Sequence, residues 1–221
     1  MTTFEREADL QLAGLPAIGE RFGGDDGQVF EEVARGGHTI DALVTRPNEA
    51  GQQERAELGI GEPLTGDRRA IYEWVARKDG RPMGDLLAVS PGDERAEDEA
   101  LVDELIDDGW IDVTEDGLLT AVAVPRPVVT IAVAFALDAV DQARVSVNRT
   151  ATFTDRQYVV TTEACREDAC EAAHLFRSVG VGVAVLDDTG ALDVIVEAET
   201  SAIEDQVTAR GLAEDAAAGW L

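Results

Sequence analysis

Three observations predict an α/β fold in which a strand-rich core is interrupted by a small helical module. A β-branched run, Val129-Thr-Ile-Ala-Val-Ala-Phe135, leads at once into Ala136-Leu-Asp-Ala-Val-Asp-Gln-Ala143, which has the pattern of a short amphipathic helix carrying Gln142. Strand, helix and hairpin patterns then follow at residues 157–162, 166–179 and 181–197. Between Arg46 and Val124 the composition changes, and helical periodicity takes over from strand patterns.

From the start of the chain, Phe4, Ala8, Leu12, Leu15 and Ile18 recur at helical spacing and predict a helix over residues 4–21, stopped by the Gly-Gly-Asp-Asp-Gly run from Gly23. Residues 28–34 and 38–44 read as two strands joined through Gly36-Gly37. Residues 47–61, rich in Glu, Gln and Gly, read as a polar connector. Three short helices are expected over 67–77 (Ile71, Trp74 and Val75 inward), 82–89 and 94–107 (Leu101, Leu105 and Ile106 on one face). A hairpin over 109–120 turns at Glu115-Asp116-Gly117. The tail from Ser201 reads as a helix packing through Ile203, Val207 and Leu212. The expected division is therefore 1–62 and 123–200 for the core, 63–122 for the inserted module and 201–221 for the helical tail.

Charge is the strongest compositional signal. Asp and Glu number 45 against 18 Lys and Arg, a formal net charge of −27, and Lys78 is the only lysine. Because 45% of the residues are hydrophobic, the chain can still bury a core and is not a disordered acidic polymer. Such self-repulsion strains a fold at ordinary ionic strength, whereas molar salt shortens the Debye length to about 3 Å. The acidic residues run along the whole chain, which favours salt adaptation of the halophilic archaeal kind over a matching basic partner. Residues 1–6 lack a signal-peptide core, and no run approaches the ~18 apolar residues of a spanning helix, so a cytoplasmic setting without membrane association is expected. Cys165 and Cys170, five apart, fit neither a disulfide framework nor a zinc site.

The element order around residues 129–197, preceded by helix, hairpin and strand, resembles the restriction-endonuclease-like PD-(D/E)XK nuclease superfamily. That resemblance implies a mixed central sheet flanked by helices. In that family the strand after the hairpin reads Glu-x-Lys, and the matching positions here are Ala132 and Ala134. An Asp on the second strand, an acidic residue in the first helix and a Gln on the helix after Glu-x-Lys match Asp41, Glu7 (or Glu5) and Gln142. Carboxylates hold a divalent metal as hard oxygen ligands, and the lysine positions the attacking water. Asp41 keeps one metal ligand; the other two groups are alanines, and Lys78 lies in the inserted module. Arg144, permanently protonated, fits the lysine's role poorly. No cofactor is expected for this sequence, with Mg²⁺ reserved for a form whose site is intact. Ile-Ala-Val-Ala-Phe is equally what a strand buried on both faces looks like, and Asp41 and Gln142 have ordinary structural readings beside the functional ones.

The inserted module, three helices and a two-stranded wing, resembles a winged helix-turn-helix. Arg68, Arg69, Arg77, Lys78 and Arg81 are its candidate DNA contacts, while its third helix is heavily acidic and suits a protein partner. His38 and His174 have no Cys or carboxylate at metal-ligand spacing, and Gly36-Gly37, Gly180 and Gly182 read as turn glycines. Two function classes follow: a DNA-associated protein on a nuclease-like fold, disabled by nature or as an inactivated variant of a metal-dependent deoxyribonuclease; or a non-enzymatic winged-helix regulatory or interaction module.

Overall fold

The computed structural model describes residues 4–78, 80–89 and 95–221. The elements in chain order begin with α1 (Glu7–Ile18), a π-helical turn (Gly19–Gly23), β1 (Gln28–Arg35), β2 (His38–Pro47) and α2 (Glu49–Glu57). Next come α3 (Gly66–Ala76), β3 (Arg81–Pro82), α4 (Met83–Val89), α5 (Arg95–Asp107), β4 (Ile111–Val113) and β5 (Leu118–Ala121). The chain continues with β6 (Val128–Ala136), α6 (Val140–Asn148), β7 (Arg156–Thr162), α7 (Arg166–Glu171) and α8 (Ala173–Ser178). It closes with β8 (Gly182–Leu186), β9 (Leu192–Val196) and α9 (Gln206–Ala217).

These elements form two compact units. The first comprises residues 1–47, 129–212 and 221, and holds a six-stranded sheet of order β1-β2-β6-β7-β8-β9. The β1–β2 and β8–β9 pairs are antiparallel, and β6–β7 and β7–β8 are parallel. The fold is thus α/β with a mixed sheet. Gly36 and Gly37, both at positive φ (58° and 76°), make the two-residue turn that sets Arg35 opposite His38. Strand β6 is apolar on both sides because both faces are covered. Ile131, Val133 and Phe135 pack with Leu10 and Ile18 of α1, while Ala132, Ala134 and Ala136 pack with Val140 of α6 and Phe176 of α8.

Several expectations need correction. The buried stripe of α1 is Leu10, Gly14 and Ile18, and Leu12 is 72% exposed. Gly14 decides the register: a Cβ there would lie 2.6 Å from the Phe135 ring, so only glycine lets the helix approach β6 this closely. The helix after β6 begins at Val140 rather than Ala136, because β6 stays paired with β7 through Ala136 and Thr161. The single helix expected over 166–179 is the two short helices α7 and α8. Glu94, the expected start of the third inserted helix, lies outside the described residues.

The second unit comprises residues 48–128 and 213–220. Helices α3, α4 and α5 surround Ile71, Val75, Leu86, Val102 and Leu105, with Trp110 just before β4 and with Ile111 and Leu119 from a three-stranded sheet of order β3-β5-β4. The segment read as a polar connector contains α2, started by Asn48, whose side chain accepts from the Gly51 N–H. Arg55 on α2 is 2% exposed. Its Nη1 meets Glu214 Oε1 at 2.5 Å, and its nitrogens also donate to the carbonyls of Pro125 and Glu62. The Glu214 carboxylate further accepts the Leu64 N–H, so both buried charges are hydrogen-bonded throughout.

Candidate functional site

The positions matched to a nuclease centre fall in different surroundings. Ala132 is 0% exposed and Ala134 half-buried, both packed on the sheet face that α6 and α8 cover. A glutamate at 132 would have to place its carboxylate in this apolar core. Gln142 is exposed on α6. Glu7 opens α1, which packs on the opposite face.

Asp41 is half-buried and acts as a strut between strands. Its Oδ2 accepts the Phe135 N–H at 3.0 Å, while its carbonyl accepts Gln11 Nε2 at 3.1 Å. The carboxylate thus substitutes for a backbone carbonyl on β6. The irregularity is visible in β2: Ile40 and Leu43 face α6, but Ala42 and Val44 face α1, so the alternation slips at Asp41. Opposite it Glu32 is at φ 51°, the one described non-glycine residue with positive φ. Burial pushes the Asp41 carboxyl above its ordinary value, opposed by the Phe135 N–H and helped by nearby Glu32. Glu7 is likewise raised, by desolvation and then by the charges of Asp41 and Asp138. Among the described residues, no three His, Cys, Asp or Glu side chains are placed to hold one metal ion. The residues at these positions do not fit a catalytic Mg²⁺: Asp41 is committed to a backbone N–H, and the alanines offer no ligand.

In the second unit the arginine cluster is largely neutralised. Arg68 pairs with Asp108, Arg69 with Asp215 and Glu73, and Arg77 with Glu73 at 3.7 Å. The Arg81 guanidinium lies 4.0 Å from the centroid of the Trp74 ring. Lys78 alone of the five is exposed with no ion pair among the described residues. Helix α5 presents Glu97, Glu99, Asp103, Glu104 and Asp107 to solvent. His174 is exposed on α8, and His38 stacks on Phe153 with centroids 6.3 Å apart.

A concave site that no sequence pattern announces lies in the first unit, on the α1 face. A cavity of about 430 Å³ is lined by Arg21, Phe22, Arg46, Ile131, Arg156, Tyr158, Glu197 and Ala198. Its residues come from the π-helical turn, the end of β2, the β6–β7 ladder where Ile131 is opposite Arg156, and the chain just after β9. Phe22 stacks on Tyr158 at 4.2 Å and closes the wall. The Tyr158 hydroxyl donates to Glu197 at 2.6 Å and accepts the Ala198 N–H at 3.1 Å. Burial, then the bond to Glu197, raises the phenol above its ordinary value. Arg21 Nη2 meets the other Glu197 oxygen at 2.7 Å. Three guanidiniums and one carboxylate therefore line the cavity, and only Arg21 is paired with Glu197. The only sequence signal was an arginine at one end of each of two strands, which means nothing until the register brings them together.

Compared with known protein families, with curated proteins and with solved structures, the chain matches none.

Proposed function

We propose that this chain is a catalytically silent protein on a PD-(D/E)XK nuclease-like scaffold, which works by association with DNA and not by cleaving it. The observation that carries the reading is β6: in the element order helix, hairpin, strand, helix, strand, the strand that would bear Glu-x-Lys bears Ala132 and Ala134. Strand β6 offers no second carboxylate and no lysine to orient water, and among the described residues no group of three ligands forms that could hold a metal with Asp41. The acidic surface fits a cytoplasmic protein of a salt-rich cell.

One observation favours a second reading, a non-enzymatic winged-helix regulatory module. The order α3-β3-α4-α5-β4-β5, with β5 between β3 and β4, supports a winged-helix likeness for the second unit. Its arginines are occupied by internal carboxylates, and α5 is acidic where a DNA-reading helix carries positive charge. On this reading α5 meets a basic protein surface.

The test is a plasmid-nicking assay in molar KCl with Mg²⁺ or Mn²⁺, paired with fluorescence anisotropy on labelled duplex and single-stranded DNA. No cleavage together with measurable DNA binding is expected. Robust cleavage sinks the silent-scaffold reading. Absence of both cleavage and binding leaves the regulatory module in front.

A further inference from the structure

Basic residues are scarce in this chain, and most of the described ones are engaged by a neighbour. Among the described residues, every half-buried arginine other than Arg46 and Arg156 is engaged by a neighbour, as with Arg68 and Asp108, Arg144 and Asp141, and Arg166 with Glu163 and Asp193. The remaining basic groups without such a partner, Lys78, Arg149 and Arg177, are exposed, where water solvates them at no cost. Arg46 and Arg156 are half-buried, make no hydrogen bond or ion pair to another described residue, and line the same cavity.

Partial burial of an uncompensated charge is unfavourable. With 45 carboxylates available, a fold that leaves both guanidiniums unanswered in one concave place holds them for something else. We propose that the cavity bounded by Arg21, Arg46 and Arg156 is a binding site for a small phosphate-bearing ligand, a free phosphomonoester or diphosphate.

The chemistry points to phosphate. The guanidinium is a planar fork that engages two oxygens of a phosphoryl group at once. A single carboxylate is already present as Glu197, anchored by Arg21 and Tyr158, and it leaves two positive charges over. A phosphomonoester brings about −1.5 to −2 charges and three acceptor oxygens, which matches that surplus. A cavity of about 430 Å³ suits a small molecule. The aromatic wall is closed, since Tyr158 is 1% and Phe22 7% exposed, so the site recognises the charged group and offers no face on which to stack a base. Glu197 is 61% exposed at its side chain and competes with the ligand for Arg21. The inference is independent of nuclease ancestry: the cavity lies on the α1 face, away from Ala132 and Ala134.

The experiment is isothermal titration of the full chain with inorganic phosphate, pyrophosphate and AMP, in molar KCl with ionic strength held constant. Saturable binding of at least one is expected. Arg46→Gln and Arg156→Gln should each weaken it by about tenfold or more, as expected for losing a hydrogen-bonding charge. Glu197→Gln should tighten it, because the internal competitor loses its charge while an oxygen remains for Tyr158. Circular dichroism and thermal midpoints establish that each variant is folded. No binding by the folded wild type overturns the proposal, as does binding that ignores both arginine substitutions. A 5′-phosphorylated single-stranded oligonucleotide is the further arm. Its capture without any response to the free phosphates overturns the small-ligand assignment and makes the cavity a nucleic-acid contact.

Discussion

Arg55 in the second unit and the pair Arg46 and Arg156 in the first show two ways of placing a cation inside an acidic protein. Arg55 is 2% exposed, lies 5.1 Å from the Trp110 ring centroid, and has its charge met by Glu214 and its hydrogens by two carbonyls. Arg46 and Arg156 sit half-buried in one cavity without an ion pair, its carboxylate Glu197 being bound by Arg21. Where carboxylates outnumber bases 45 to 18, finding a partner is easy and lacking one needs a reason. The first arrangement speaks about stability and the second about a ligand.

Stability measurements should separate the two most sharply. Glu214→Ala strands Arg55 in the core, and chemical denaturation should show a loss of about 3–5 kcal/mol. Arg46→Gln or Arg156→Gln should stay within about 1 kcal/mol, since nothing is orphaned by removing an unpaired cation. Comparable losses at all three sites would break the distinction.

Salt sharpens it. The wild-type thermal midpoint should climb between about 0.1 M and molar KCl as the net charge of −27 is screened. A flat response would count against salt adaptation. The cost of Glu214→Ala should persist across that range, because side chains 0–3% exposed are out of reach of the ions.

A smaller effect is expected at Asp41. Its carboxyl is raised by burial above 3.8, so the folded state binds this proton more tightly than the unfolded chain does. That contribution to stability is complete below 3.8 and is lost as pH rises through the folded value. Asp41→Asn keeps an oxygen for the Phe135 N–H without the charge. Its stability relative to wild type should therefore improve from acid to neutral pH, as followed by urea denaturation. A difference independent of pH would refute the burial assigned to this carboxyl.

The smallest effect belongs to the surface. Arg166 bridges Glu163 and Asp193 at 2.7 and 2.5 Å, with the three side chains 34–59% exposed. Replacing it by Gln should cost about 1 kcal/mol or less in dilute salt and nothing measurable in molar KCl.

Local chemistry made much of this fold legible. The β-branched run gave β6, Gly36-Gly37 gave the turn, and of the apolar positions expected inward in the second unit Ile71, Val75 and Leu105 are buried, with Trp74, Leu101 and Ile106 half-buried. The failures share one cause. Residues 47–61 look polar because the side chain that anchors α2 is an arginine whose partner is 159 residues away. The stripe of α1 is hidden in the sequence because Gly14, with no side chain to mark it, lies against the Phe135 ring. The cavity depends on five separate stretches of chain. Asp41 was legible as a residue of interest, but its hydrogen bond to β6 was not.

The separation between Arg55 and Glu214 has a consequence during synthesis. Arg55 leaves the ribosome 159 residues ahead of its counter-charge, an interval on the order of ten to thirty seconds at ordinary elongation rates. Asn48 is made before Arg55, and Trp110 and Pro125 follow within that interval, but until Glu214 emerges the guanidinium lacks the carboxylate it is buried against. The second unit therefore reaches its final core only once the end of α9 has been translated, and ribosome-bound chains stalled before residue 214 should remain open to protease around α2.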